Sequence, residues 1–153
     1  MPHLIELLKS RYMDACEKAV LALRNIIRNG PHFRDYCIEL GIVEPLLKLV
    51  VPDTPLNCLS EVTRVILNLC HSKDPPLSKH IVQMLLPELG ALIHHQETSI
   101  LVDTIWALSN LTIGGNERIQ LVIESGVGVP QRGVADTHIV HSQASPVPML
   151  SHT

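Results

Sequence analysis

The chain has 153 residues, 46% apolar and 18% charged, with a net charge of −3. That length holds one domain with a real core, and the weakly acidic balance offers no electrostatic footprint for nucleic acid. Aromatics at 3% leave Leu, Ile, Val and Ala to fill the interior, which favours packed aliphatic helices over a β-sandwich.

In chain order, "MPHLIELL" comes first, a short apolar helix with Pro2 in its opening turn. "AVLALRNII" (Ala19–Ile27) lies in a longer helix, with Gly30 as punctuation, and "HFRDYCIEL" forms a short third helix for which Gly41 fits a C-terminal cap. The order then repeats. Pro45 opens "VEPLLKLV", "PDTP" breaks the chain, and "EVTRVILNLC" (Glu61–Cys70) is a long helix with Val62, Val65, Ile66 and Leu69 on one stripe. Pro75–Pro76 marks a turn before the short third helix "LSKHIVQML". In the last round Pro87 opens "LLPELGALI" and "HQETS" is the break. "DTIWALSNLT" (Asp103–Thr112) is the long helix, its stripe read as Leu101, Ile105, Leu108 and Leu111. Gly114–Gly115 turns the chain into "NERIQLVIE", and Gly126 fits that helix's cap.

Two anchors give the period. Asn25, Asn68 and Asn110 recur at intervals of 43 and 42 residues, and Pro2, Pro45, Pro87 and Pro130 at 43, 42 and 43. A period near 42 indicates a helical solenoid of the armadillo or HEAT kind. The expected fold is all-α, about three repeats over residues 1–126, followed by an irregular tail at 127–153 in which Pro146 and Pro148 oppose a regular helix. The chain begins at the second helix of a unit. Its first helix is therefore expected to lack a covering neighbour, and the uncapped ends to be open to self-association.

Other features read as ordinary. Cys16, Cys37, Cys58 and Cys70 form no CxxC pair and sit in apolar patterns, as buried free thiols of a reducing compartment do. No run of 18 apolar residues exists, so no membrane span is expected. His94–His95 and the tail residues His138, His141 and His152 lack a scaffold for a metal, and no cofactor is expected. "HSKD" (His71–Asp74) is a loop tetrapeptide, not a catalytic triad assembled in space, and no other constellation indicates an enzyme. Three asparagines inside helices are locally unfavourable, and their common phase points to a shared role. Trp106 and Asn110, four residues apart, share a helix face.

"HFRDYCIELGIVEPLL", "NLCHSKDPP" and "LVDTIWALSNLTIGGNERIQLVIESGV" resemble the armadillo repeats of importin alpha, the nuclear-import adaptor, over residues 2–127 and near the third to fifth repeats of its array. The resemblance implies a right-handed armadillo solenoid working in cytoplasm and nucleus. Its concave groove would hold the basic nuclear localisation signal of a cargo protein. Asn side chains would grip the peptide main chain, and indoles would form slots for Lys and Arg stems. Carried over by position, the peptide-binding residues are Asn25, Asn68, Trp106 and Asn110, with Asp103 as a partner for a basic side chain. The sequence departs from the pattern where Leu21 and Arg64 stand in place of Trp and Asn29 in place of an acid. Arg24, Arg28 and Arg64 add positive charge. Signal binding is therefore expected to be weakened, on the order of 30- to 1000-fold for two lost slots. The basic importin-beta-binding arm of the family has no counterpart in this sequence. The alternative is a structural or decoy fragment that binds another protein without binding a signal.

Overall fold

The structure is a computed structural model that describes residues 1–71 and 75–127. The expected tail, apart from Val127, and with it Pro130, lies outside the described residues. Eight α-helices are described: α1 (Pro2–Leu7), α2 (Met13–Ile27), α3 (Pro31–Glu39), α4 (Val43–Leu47), α5 (Leu56–His71), α6 (Lys79–Leu92), α7 (Thr98–Leu111) and α8 (Asn116–Glu124). A short 3-10 turn, Thr112–Gly114, joins α7 to α8. No strand occurs among the described residues.

Aliphatic spacing explains the stack. On α2, Cys16, Ala19, Val20, Leu23 and Ile27 are buried, each three, four or seven residues from another, so they form one stripe. The long helices α2, α5 and α7 are successive neighbours: α2 packs on α5 and α5 packs on α7, while α4 packs on α6 and α6 on α7. Held from both flanks, α5 buries two stripes, Leu59–Val62–Thr63–Ile66–Cys70 and Cys58–Val65–Leu69. Its one buried hydroxyl is satisfied locally, since Thr63 Oγ1 donates to the Leu59 carbonyl at 2.9 Å. The buried apolar side chains from Ile5 to Leu111 join into one core that runs the length of the stack. This is an α-solenoid of about three repeats, as the period predicts.

Two expectations need correction. "LSKHIVQML" and the Pro87 helix are one element: α6 runs unbroken from Lys79 to Leu92 with Pro87 inside it. The corresponding joint between α3 and α4 is broken by Gly41 at φ +89°, where Gly41 N–H donates to the Ile38 carbonyl at 3.0 Å and Ile42 N–H to the Cys37 carbonyl at 3.2 Å. At the same distance before Pro87 stands Gln83, which has no such freedom, so the chain stays helical and the proline is accommodated on the exposed face. The second correction concerns α7. Its buried residues are Ile100, Asp103, Thr104, Ala107 and Leu111, whereas Ile105 is exposed and Leu101 and Leu108 only partly covered. Those three fall at the positions of Leu59, Thr63 and Ile66 on α5, all of them buried. No described helix lies against α7 on that side in the same way.

Two guanidinium groups, one buried and one half-buried, fasten successive repeats. Arg34 of α3, 1% exposed, reaches the Pro75 carbonyl with Nη2 at 2.6 Å and also pairs with Asp35 at 2.9 Å. Arg118 of α8 donates to the Leu77 carbonyl from the other side. Ser78 begins α6 by accepting the Ile81 N–H at 3.2 Å.

Candidate functional site

A groove of about 1160 Å3 crosses the C-terminal halves of the three long helices. On α2 it is lined by Arg24, Ile27 and Arg28; on α5 by Arg64, Leu67, Asn68 and His71; on α7 by Trp106 and Asn110. Offsets of three, four and seven residues put each set on one helix face. Gly30, Pro31, Arg34 and Ile113 close its end.

Asn68, Trp106 and Asn110 are brought together here, with Asn68 and Asn110 on adjacent helices. Trp106 is 58% exposed and lies on the groove wall, not in the core. The Asn68 side-chain nitrogen Nδ2 is buried and meets no acceptor among the described residues. An amide buried in that way is costly unless something accepts from it. Asn25 keeps the register of Asn68 but is exposed on α2 and does not line this groove; Arg24, Ile27 and Arg28 form that wall instead.

Asp103, expected to meet a basic side chain, meets one from its own chain. Arg64 Nε donates to Asp103 Oδ2 at 2.8 Å, with the arginine 47% and the aspartate 12% exposed. A second ion pair has the same logic: Arg24 Nη1 sits 2.7 Å from Glu61 Oε1, between α2 and α5. Glu61 and Asp103 stand 42 residues apart, at one phase of the repeat. That spacing is the sequence signal for Glu61, and the Trp and Asn periods do not include it. Both pairs turn an arginine beside the groove toward the next helix. Arg24 Nε is itself buried without a partner among the described residues.

Four arginines and a histidine line the groove, and no Asp or Glu does. No group of three or more His, Cys, Asp or Glu residues able to hold a metal occurs among the described residues. The four cysteines are buried and free. Desolvation raises every one of their thiols, with Cys58 and Cys70 pushed up to about 12, so at neutral pH they are protonated packing groups and poor nucleophiles. Of "HSKD", only His71 lies among the described residues. No described helix is long and apolar enough to cross a membrane.

Known proteins share this architecture. The model of the family Armadillo/beta-catenin-like repeat matches residues 74–113. Importin subunit alpha-3 of Caenorhabditis elegans is 59% identical over 101 residues, 66% of this chain and 20% of that protein. Importin subunit alpha-2 of Arabidopsis thaliana is 38% identical over 128 residues, 83% of this chain and 24% of that protein. The chain thus spans between a fifth and a quarter of the length of these relatives. Among solved structures, a designed armadillo repeat protein in complex with the peptide (KR)4 superposes with a TM-score of 0.72 at 26% identity, covering 82% of this chain and 52% of that one. A computationally designed armadillo repeat protein for modular peptide recognition gives 0.72 at 25% identity with the same coverage.

Proposed function

We propose a function from one premise: residues 2–127 are armadillo repeats of the importin alpha kind. The chain is a non-catalytic, protein-binding adaptor segment of nuclear import, working between cytoplasm and nucleus, and its groove receives an extended peptide. Asn68 and Asn110 hold the peptide main chain, each amide offering a donor and an acceptor, while the Trp106 indole receives an aliphatic stem. One observation carries the reading: two asparagines a repeat apart and the chain's single tryptophan share one groove, where the Asn68 N–H donor meets no acceptor among the described residues.

A basic nuclear localisation signal is the ligand class that the resemblance to importin alpha implies, and a similar designed protein was solved with the peptide (KR)4. This groove grips such a signal weakly. Arg64 and Leu21 replace two indoles, and the Asp103 carboxylate is already bound to Arg64. An anisotropy titration with a labelled basic signal peptide tests the reading. Wild type is expected to bind feebly, Trp106→Ala to abolish binding, and Arg64→Trp to strengthen it about 5- to 30-fold by adding a slot and releasing Asp103. No binding by Arg64→Trp would overturn the basic-signal reading.

A second reading has its own support. Val102, Ile105 and Ile123 leave apolar surface open on α7 and α8, as suits a structural or decoy segment that binds another protein or itself without a signal peptide. Concentration-dependent association in sedimentation, without peptide binding, would favour it.

A further inference from the structure

The two stripes buried on α5 separate on its neighbours. Leu59, Thr63 and Ile66 have buried counterparts on α2, at Cys16, Val20 and Leu23, but lose cover on α7, at Leu101, Ile105 and Leu108. Cys58, Val65 and Leu69 do the reverse. Their counterparts on α7, Ile100, Ala107 and Leu111, are buried, whereas those on α2, Ala15, Ala22 and Ile26, are half-buried. Helix α5 packs on both long helices, and α2 and α7 each pack on α5. One stripe therefore belongs to the side of the following long helix and the other to the side of the preceding one. The open stripe of α7 and the open stripe of α2 are the two halves of a contact that the chain already makes twice, at α2–α5 and at α5–α7. Each of those steps is also crossed by an arginine, Arg24 to Glu61 and Arg64 to Asp103. On the open faces, Trp106 stands at the phase of Arg64 and Lys18 at the phase of Glu61 and Asp103, and both are exposed. An indole and an ammonium at those two places attract each other.

We infer that the open face of α7 docks head to tail on α2 of a second copy of this chain. This deepens the self-binding reading and rests on it. The large side chains Leu101, Ile105 and Leu108 meet Ala15, Ala22 and Ile26 of the second copy, so the bulk on one side fits the small residues on the other. Trp106 receives Lys18 of the second copy. The short helices fit the same junction: α8 stands at the phase of α3 and α1 at the phase of α4, so α1 of the second copy follows α8 as α4 follows α3. Helix α8 has room for it, since none of its residues is buried and Ile119 and Ile123 are exposed. The two docking faces differ, so the contact is heterologous, and every row of copies keeps one α2 face and one α7 face open for growth. Stacking also lengthens the peptide groove. Asn25, exposed on α2 and outside the groove of its own copy, becomes the next amide after Asn110 of the copy before it.

Sedimentation of the whole chain from micromolar to millimolar concentration, with two blocked variants, tests this. Ile105→Glu puts a charge on the α7 face and Ala22→Glu a charge on the α2 face; Ile105 is 50% exposed and Ala22 half-buried, so both variants are expected to keep the helix content of wild type by circular dichroism. Wild type is expected to grow beyond a dimer as concentration rises. Each variant alone is expected to stay monomeric, and an equimolar mixture of the two to form a one-to-one dimer and stop there, because each supplies the face the other has lost. Lys18→Glu, on the exposed surface, tests the junction without touching its apolar stripe and is expected to weaken association about three- to tenfold. Association of either blocked variant alone, or unchanged association in Lys18→Glu, overturns the head-to-tail contact and leaves self-binding standing. Wild type that stays monomeric throughout overturns both.

Discussion

Helices α5 and α7 occupy the same place in successive repeats, yet they carry different burdens. Leu59, Thr63 and Ile66 on α5, a helix packed by both α2 and α7, are buried, whereas Leu101, Ile105 and Leu108, at the same positions on α7, are open or half covered. Both helices solve a buried hydroxyl identically, since Thr63 donates to the Leu59 carbonyl and Thr104 to the Ile100 carbonyl at 2.8 Å. Local chemistry is therefore repeated, and burial is decided by the neighbour. In a solenoid the same side chain is core or surface according to what stacks on it.

The sharpest way to break that comparison is a matched pair of truncations. Ile66→Ala removes atoms from a fully enclosed site and should cost about 2–5 kcal/mol, whereas Leu108→Ala at the equivalent place should cost about 1 kcal/mol. Urea unfolding of the two variants measures the difference; equal losses would mean that α7 is as well covered as α5.

Titration separates the two regions next. All four thiols lie on or before α5, none on α7. Cys58 and Cys70 have folded pKa values of about 12, above the ordinary 9.0. The unfolded chain therefore loses these protons first, and the contribution is intact below pH 9 and lost as pH climbs toward 12. Urea midpoints taken at steps across that window should fall, and should fall less in Cys58→Ala/Cys70→Ala. An equal slope in the two proteins would remove the thiols from the account.

The smallest effect concerns the joints. Gly41→Ala should cost about 1 kcal/mol through its positive φ alone, because a Cβ there meets nothing within 4 Å. Gln83→Ala, at the matching place in the continuous α6, should change the melting temperature little.

Much of this architecture was legible beforehand. The recurrence of Asn25, Asn68 and Asn110 and of Pro2, Pro45 and Pro87 gave the repeat, and the stripe Val62, Val65, Ile66 and Leu69 is wholly buried. The stripe on α7 was misread because periodicity identifies an apolar face without saying whether a partner covers it. Pro87 was read as a helix start because proline suits a first turn; the deciding residue was Gln83, four places earlier, where a glycine would have let the chain turn. At the groove, spacing places Trp106, Asn110 and Asn68, and the arginines are visible in the sequence. Their fixed partners are not. Arg24–Glu61 and Arg64–Asp103 join residues 37 and 39 apart, close to the period but offset from it, so they come into view only once the helices are set side by side.

The turn at Pro75–Leu77 is clasped from two directions, by Arg34 at one carbonyl and by Arg118 at another two residues on. A stack of self-sufficient units can shed its ends one at a time. Here the first and third units both depend on the same short stretch of backbone, so the three should open as a single cooperative block, and the mutual tilt of the groove walls is set where those two side chains meet the middle one.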